Sequence, residues 1–218
     1  RALKRELEGD DGVIFRYAAH ENTYLCKIDT QLRSDPADIP DRAQLCAFIR
    51  SITRATGGST EPWHGERSMT DMLELVKRHF YHPFCNGSNS IKYVLPAVLN
   101  ESTYLREKYA HPVYGAEEGI RSLNFRDWQW IHTVDGKVVD PYLLLPRLFE
   151  DIPEHDARLM TENPELRDGG AAMTAYARMQ FEEMSDYERA ALRSALLKYC
   201  ELDTLAMVMI CEYWLSEC

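Results

Sequence analysis

The sequence is short of several things that would assign it quickly. It has no Walker-type phosphate loop, no Gly-x-Gly-x-x-Gly run and no nucleophile triad motif. It therefore shows no signature of a P-loop nucleotide hydrolase, a dinucleotide enzyme or a serine-type hydrolase. No apolar run reaches the ~18 residues that a membrane helix needs. The opening Arg1-Ala2-Leu3-Lys4-Arg5-Glu6 is a charged amphipathic start with no apolar stretch behind it, which is not how a secretory signal reads. There is no Cys-x-x-Cys pair; the six cysteines are scattered at 26, 46, 85, 200, 211 and 218, so a reducing, cytoplasmic setting is expected. Positive charge is outnumbered, 25 Lys and Arg against 35 Asp and Glu. A net charge of -10 argues against broad electrostatic capture of nucleic acid, although acids that hold divalent metals contribute negative charge of their own.

What remains is a chain of 218 residues with 45% hydrophobic content, enough for one domain with a full core or one domain carrying an insertion. A short helix is expected over residues 2–8, ended by Gly9-Asp10-Asp11-Gly12. Val13-Ile14-Phe15-Arg16-Tyr17-Ala18 reads as a buried strand, followed at once by a helix with Glu21, Tyr24, Leu25, Ile28 and Leu32 on one face. Further helices are expected at 43–54, after a short strand or turn within 69–80, and at 91–99 behind the turn Asn86-Gly87-Ser88-Asn89-Ser90. Residues 101–167, with Trp128, Trp130 and little periodicity, read as an insertion with aromatics of its own. From Gly170 the pattern is helical: 171–184, then 185–217, opened by a Ser185/Glu188 capping box. One visible strand followed by helices implies an α/β domain, mostly helical here and shortened at its N-terminus, because a lone strand is not stable by itself.

Asp203 is the sharpest chemical signal. Stepping by three, four and seven along its helix meets Leu196, Tyr199, Cys200, Ala206, Met207 and Ile210, with Leu192 further down the same stripe. A lone buried carboxylate persists with a metal, a cation or a hydrogen-bond donor beside it; Tyr199, one turn earlier, shares its site. A purely structural hydrogen bond accounts for the same spacing equally well. Glu21, at the end of the expected strand, is placed to line a crevice, or to complement its helix dipole. Lys92, behind Ser88 and Asn89, is a candidate phosphate contact at a helix N-terminus, with plain capping as the simpler reading. His79, His82 and Cys85 have zinc-like spacing interrupted by Pro83, and packing is the more natural role for them.

Asn86-Gly87-Ser88-Asn89-Ser90-Ile91-Lys92-Tyr93-Val94-Leu95-Pro96-Ala97 resembles the Gly-Ser-x-Ser-Ile-Lys-x-Val-Leu-Pro segment of a bacterial family, domain of unknown function 2779. Tyr81-His82-Pro83, Asp168-Gly169-Gly170-Ala171-Ala172-Met173 and Tyr199-Cys200-Glu201-Leu202-Asp203-Thr204-Leu205-Ala206-Met207 are similar to it as well, in the same order, so the resemblance spans roughly residue 12 to the end. That family is similar to DnaQ-like exonucleases of ribonuclease-H-like fold, in which four acids in three motifs hold two divalent metals. The resemblance implies a single nuclease domain over residues 1–218, with 101–167 as its insertion. It makes Tyr199-x-x-x-Asp203 the third motif, with Tyr199 orienting the attacking water, and Glu21 part of the second. Glu21 and Asp203 are then metal ligands, and Ser88, Asn89 and Lys92 substrate contacts. The first motif, Asp-x-Glu, has no match; it is expected in a missing N-terminal part of the same protein.

Two functions follow as expectations. One is metal-dependent 3′–5′ exonuclease-type hydrolysis of nucleic-acid phosphodiesters, using Mg²⁺ or Mn²⁺ on a single-stranded substrate, in the full-length protein. With two of four acids, this chain alone is expected to be inactive. The other is a nuclease-like module that has lost catalysis and binds nucleic acid or a protein partner. No membrane partner is expected.

Overall fold

The computed structural model describes residues 1–148 and 169–216. The described chain is mixed α/β: mostly helices, with two sheets of two strands each. Its contacts divide it into two compact units, Arg1–Tyr81 and His82–Cys218. Each is described by itself.

The first unit holds helix α1 (Ala2–Leu7), strand β1 (Phe15–Arg16), helices α2 (His20–Ser34) and α3 (Arg42–Ile52), strand β2 (Thr70–Asp71) and helix α4 (Met72–His79). Strands β1 and β2 pair in parallel, Phe15 opposite Thr70 and Arg16 opposite Asp71. The apolar core gathers Cys26, Cys46, Ile49, Ile52, Met72 and Val76. Two sequence expectations change here. The stretch 13–18 is not a buried apolar strand: Val13 is 69% exposed, and the one buried residue of β1 is Arg16, paired with Asp71 at 2.9 Å. The buried side of α2 is also not its apolar stripe. Tyr24 and Ile28 face solvent, while Asn22, Cys26 and Asp29 are buried. Polar partners decide that orientation. Asn22 receives the Arg54 amide and donates to the Arg54 carbonyl, both at 2.9 Å, and Asp29 accepts from Arg33 and Arg50. A buried polar group is tolerated when it is matched in this way.

The second unit is built around helix α5 (Ile91–Glu101), whose Val94, Leu95, Ala97, Val98 and Leu99 are all buried. It packs against helix α6 (Thr103–Tyr109) and the long helix α8 (Asp186–Ser216); helix α7 (Gly169–Phe181) lies on α8 through Ala171, Ala172, Ala175 and Met179. Between α6 and α7 the chain makes an aromatic cluster of Tyr114, Phe125, Trp128 and Trp130, with Phe125 and Trp130 rings edge-on at 5.0 Å. Strands β3 (Thr133–Val134) and β4 (Lys137–Val138) then form a hairpin. Its two turn residues, Asp135 and Gly136, take φ of 50° and 75°, the geometry that a tight hairpin of this hand requires. The Val138 amide donates to the Asn100 side chain at 3.0 Å, which hooks the hairpin to α5. A 3-10 turn, Pro141–Leu144, follows. The range 101–167 holds α6 and this aromatic cluster as far as it is described; residues 149–167, and Asp168 of the Asp-Gly-Gly motif, lie outside the described residues.

Candidate functional site

In the second unit Asp203 stands on α8 at the border of the buried stripe that runs through Tyr199, Leu202, Ala206 and Ile210. Cys200, one turn before it, is exposed, so Asp203 is half-buried rather than enclosed. Its partner comes from the 3-10 turn. The Tyr142 hydroxyl donates to the Asp203 carboxylate at 2.5 Å. That turn is set by Asp140, whose carboxylate accepts the Tyr142 amide at 3.0 Å. The sequence carries no local signal of this, because Tyr142 and Asp203 are 61 residues apart.

Lys92 completes the cluster. Its ammonium lies 4.2 Å from the centre of the Tyr142 ring and 4.8 Å from that of Tyr199, and the two rings are 6.0 Å apart. Cation–ring contacts of this length are attractive, more so when partly desolvated. Burial pushes the Asp203 carboxyl above its ordinary pKa, and it stays raised although the Tyr142 hydroxyl and Lys92 pull it down. Asp140 is raised in the same way: burial dominates, with the Tyr142 amide and Lys92 opposing. The Tyr142 phenol is raised by burial and by the neighbouring Asp203, so it remains a donor. Lys92 acts electrostatically on both carboxylates.

The other expected residues lie as follows. Tyr199 is buried beside this cluster, and a side chain added at Gly169, the first residue of α7, would come within 4.0 Å of its hydroxyl. Ser88 accepts the Ser90 amide at 3.2 Å within its turn, and Asn89 is exposed there. Lys92 lies over the Tyr142 and Tyr199 rings. His82 accepts the Phe84 amide through Nδ1 at 3.2 Å and contacts Glu101 through Nε2 at 2.6 Å, while Cys85 is buried. Glu21 belongs to the other unit. It is exposed in the first turn of α2, where it complements the helix dipole. The turn leading to it is held open by Ala18 in the left-handed region, φ 71°, whose amide donates to Asp71 at 3.0 Å. Backbone strain in a non-glycine residue persists only where its surroundings enforce it.

No family model, no curated protein and no solved structure matches this chain.

Among the described residues no group of three His, Cys, Asp or Glu side chains is placed to hold a metal. A two-metal centre does not fit the described residues by themselves.

Proposed function

We propose that this protein acts on nucleic-acid phosphodiesters as a metal-dependent exonuclease-type hydrolase of ribonuclease-H-like fold, with Asp203 as one of its metal-binding acids. One observation supports the reading above the others. A half-buried carboxylate with raised proton affinity sits one turn after Tyr199 and is oriented by a hydroxyl from a separate element. Acids held in that manner are frequent at functional sites. Asp203 and Asp140 do not by themselves supply the ligands of two metals, so this chain alone is proposed to be inactive. Tyr199 keeps the role of orienting water or substrate at Asp203, and Ser88 and Asn89 that of contacts to the strand. Glu21 keeps the role of a metal-binding acid on the strength of the resemblance.

A second reading has its own support. Lys92 already supplies a positive charge where the metal is expected, which favours a nuclease-like module that binds a strand without cutting it. The two separate in one assay. A protein containing this chain is incubated with 5′-labelled single-stranded DNA and RNA, in Mn²⁺ or in EDTA. Stepwise shortening from the 3′ end in Mn²⁺ and none in EDTA supports the hydrolase. Retention of the strand on the protein without shortening supports the binding module. Neither shortening nor binding overturns both.

A further inference from the structure

Thr23, Cys26, Lys27, Thr30 and Gln31 stand at i, i+3, i+4, i+7 and i+8 on α2, so they share one face of that helix. The face meets the loop that follows α3. Asn22 receives the Arg54 amide and donates to the Arg54 carbonyl, which fastens the loop beside the helix. Just beyond, the loop turns back on itself: the Ser59 amide donates to the Thr56 carbonyl at 3.0 Å, and the Thr56 amide to the Ser59 hydroxyl at 2.9 Å. Helix face and turn border a cavity of about 560 Å³, lined on the loop side by Thr56, Gly58 and Ser59, with buried Cys26 on the helix side. Small-molecule sites span roughly 300–1,000 Å³. The cavity belongs wholly to the first unit and shares no residue with the Asp203 cluster.

The wall is one-sided in charge. It holds one ammonium, Lys27, and no Asp or Glu. Among the described residues Lys27 pairs with no acid; its ammonium lies 5.0 Å from the centre of the Tyr24 ring. The hydroxyls differ in what they have left to offer. Thr23 donates to the Ala19 carbonyl at 2.8 Å and Thr30 to the Cys26 carbonyl at 3.1 Å, so each keeps its oxygen as an acceptor. The Thr56 and Ser59 hydroxyls lie 3.3 Å apart, and one donating to the other leaves a single O–H to spare. A ligand that meets all of these groups carries an anion for Lys27 and the spare O–H, and hydroxyls of its own for Thr23 and Thr30. Lys27 offers three N–H donors at one point, a match for the oxygens of a phosphate. We propose that this cavity binds a small phosphorylated polyol, such as a sugar phosphate, with its phosphate on Lys27 and the Thr56–Ser59 turn and its hydroxyls on Thr23 and Thr30.

The test is isothermal titration calorimetry on the whole chain at about 0.15 M salt, which screens loose surface attraction. The probes are ribose 5-phosphate, glucose 6-phosphate and glycerol 3-phosphate. At least one is expected to bind saturably at a single site, with inorganic phosphate and the unphosphorylated polyol each at least about tenfold weaker. Lys27→Gln is expected to weaken that probe at least about tenfold and Thr30→Val about threefold to tenfold, while Lys27→Arg, which keeps the charge, stays within about threefold of the parent. Lys77→Gln, on α4 and outside the cavity, is expected to change nothing. Lys27 and Thr30 are exposed, so these variants should fold; circular dichroism checks this, and Lys27→Met replaces Lys27→Gln if it does not. Saturable binding by none of the three probes below about 5 mM overturns the proposal. So does inorganic phosphate or gluconate that binds as tightly as the best probe, an unchanged affinity in Lys27→Gln, or an equal loss in Lys77→Gln. None of these outcomes depends on whether the protein cleaves nucleic acid.

Discussion

Glu201 offers a quantitative test of how the aromatic cluster is tied to α8. Its carboxylate accepts from the Tyr114 hydroxyl at 2.8 Å, from the Asn124 side chain at 2.5 Å and from the Ser122 hydroxyl. Tyr114 and Ser122 are buried, and Ser122 also accepts the Phe125 amide at 2.9 Å, so this one acid organises the loop from which the cluster is built. Burial alone would raise the Glu201 pKa, but the bonds from Ser122, Asn124 and Tyr114 outweigh it and leave the group below its ordinary value. A hydrogen bond to a charged acceptor contributes ~1.5–3 kcal/mol, and a buried donor left unmatched costs ~1–3 kcal/mol. Asn124 is half-exposed and regains water, so Glu201→Ala is expected to destabilise the second unit by about 3 kcal/mol. Glu201→Gln, which keeps one acceptor oxygen, is expected to cost about 1–2 kcal/mol. Urea unfolding followed by near-ultraviolet circular dichroism reads this directly, because Trp128 and Trp130 lie in the affected cluster. The sign with pH is also set. A depressed carboxyl contributes stability that is present above its unfolded pKa and is lost as pH falls through the folded one. The parent should therefore lose part of its near-ultraviolet signal on acidification, at and below the ordinary glutamate range, and Glu201→Gln should lose less. Unfolding of Glu201→Ala within about 0.5 kcal/mol of the parent, the spread of ordinary surface changes, would refute the reasoning.

Asp71 in the first unit does three things at once: it pairs with buried Arg16, accepts the Ala18 amide and caps α4 through the Leu73 amide at 3.1 Å. Asp71→Ala removes the ionic partner of a buried guanidinium, which keeps its bond to the Ala18 carbonyl, and is expected to cost about 3 kcal/mol, seen as faster hydrogen exchange in α4 and at the start of α2. At Gly115, φ is 77° and a β-carbon would stand 2.2 Å from the Phe125 carbonyl oxygen. Gly115→Ala is therefore expected to disrupt the aromatic loop, with loss of near-ultraviolet signal, whereas alanine at Gly58, which has open space around it, is expected to leave stability unchanged.

The parts of the fold that were legible in the sequence are those decided within a few residues. The Ser185/Glu188 capping box forms as its spacing predicts, with the Glu188 amide donating to Ser185 and the Ser185 amide to Glu188. Helices α3, α4 and α5 and the long α8 lie close to where periodicity puts them. What was not legible depends on distant partners. Apolar residues at 13–18 suggested a buried strand, yet Arg16 is the buried residue because Asp71 arrives from beyond α3. Tyr24 and Ile28 of the α2 stripe face water, with Leu25 and Leu32 half-buried, because Asn22 finds the Arg54 backbone, 32 residues away. The same holds at the candidate site. Spacing on α8 singles out Tyr199 and Asp203, whereas Tyr142 and Asp140 carry no local pattern, and the tyrosine rings that meet Lys92 come from residues 50 and 107 positions further along the chain. Glu201 carries no sequence signal, because a glutamate in a helix is ordinary until its three donors are in place.

The reading of Asp203 as a functional acid is tested most directly by Asp203→Asn in a protein that cleaves single strands in Mn²⁺. The amide has nearly the same size and still accepts from the Tyr142 hydroxyl, so the fold should hold, while a neutral ligand holds metal poorly. Cleavage is therefore expected to fall by at least about 10²-fold, with the melting temperature in EDTA unchanged or slightly higher. Full cleavage by Asp203→Asn would contradict the account, and so would loss of cleavage that merely follows unfolding, which would make Asp203 a structural acceptor for Tyr142.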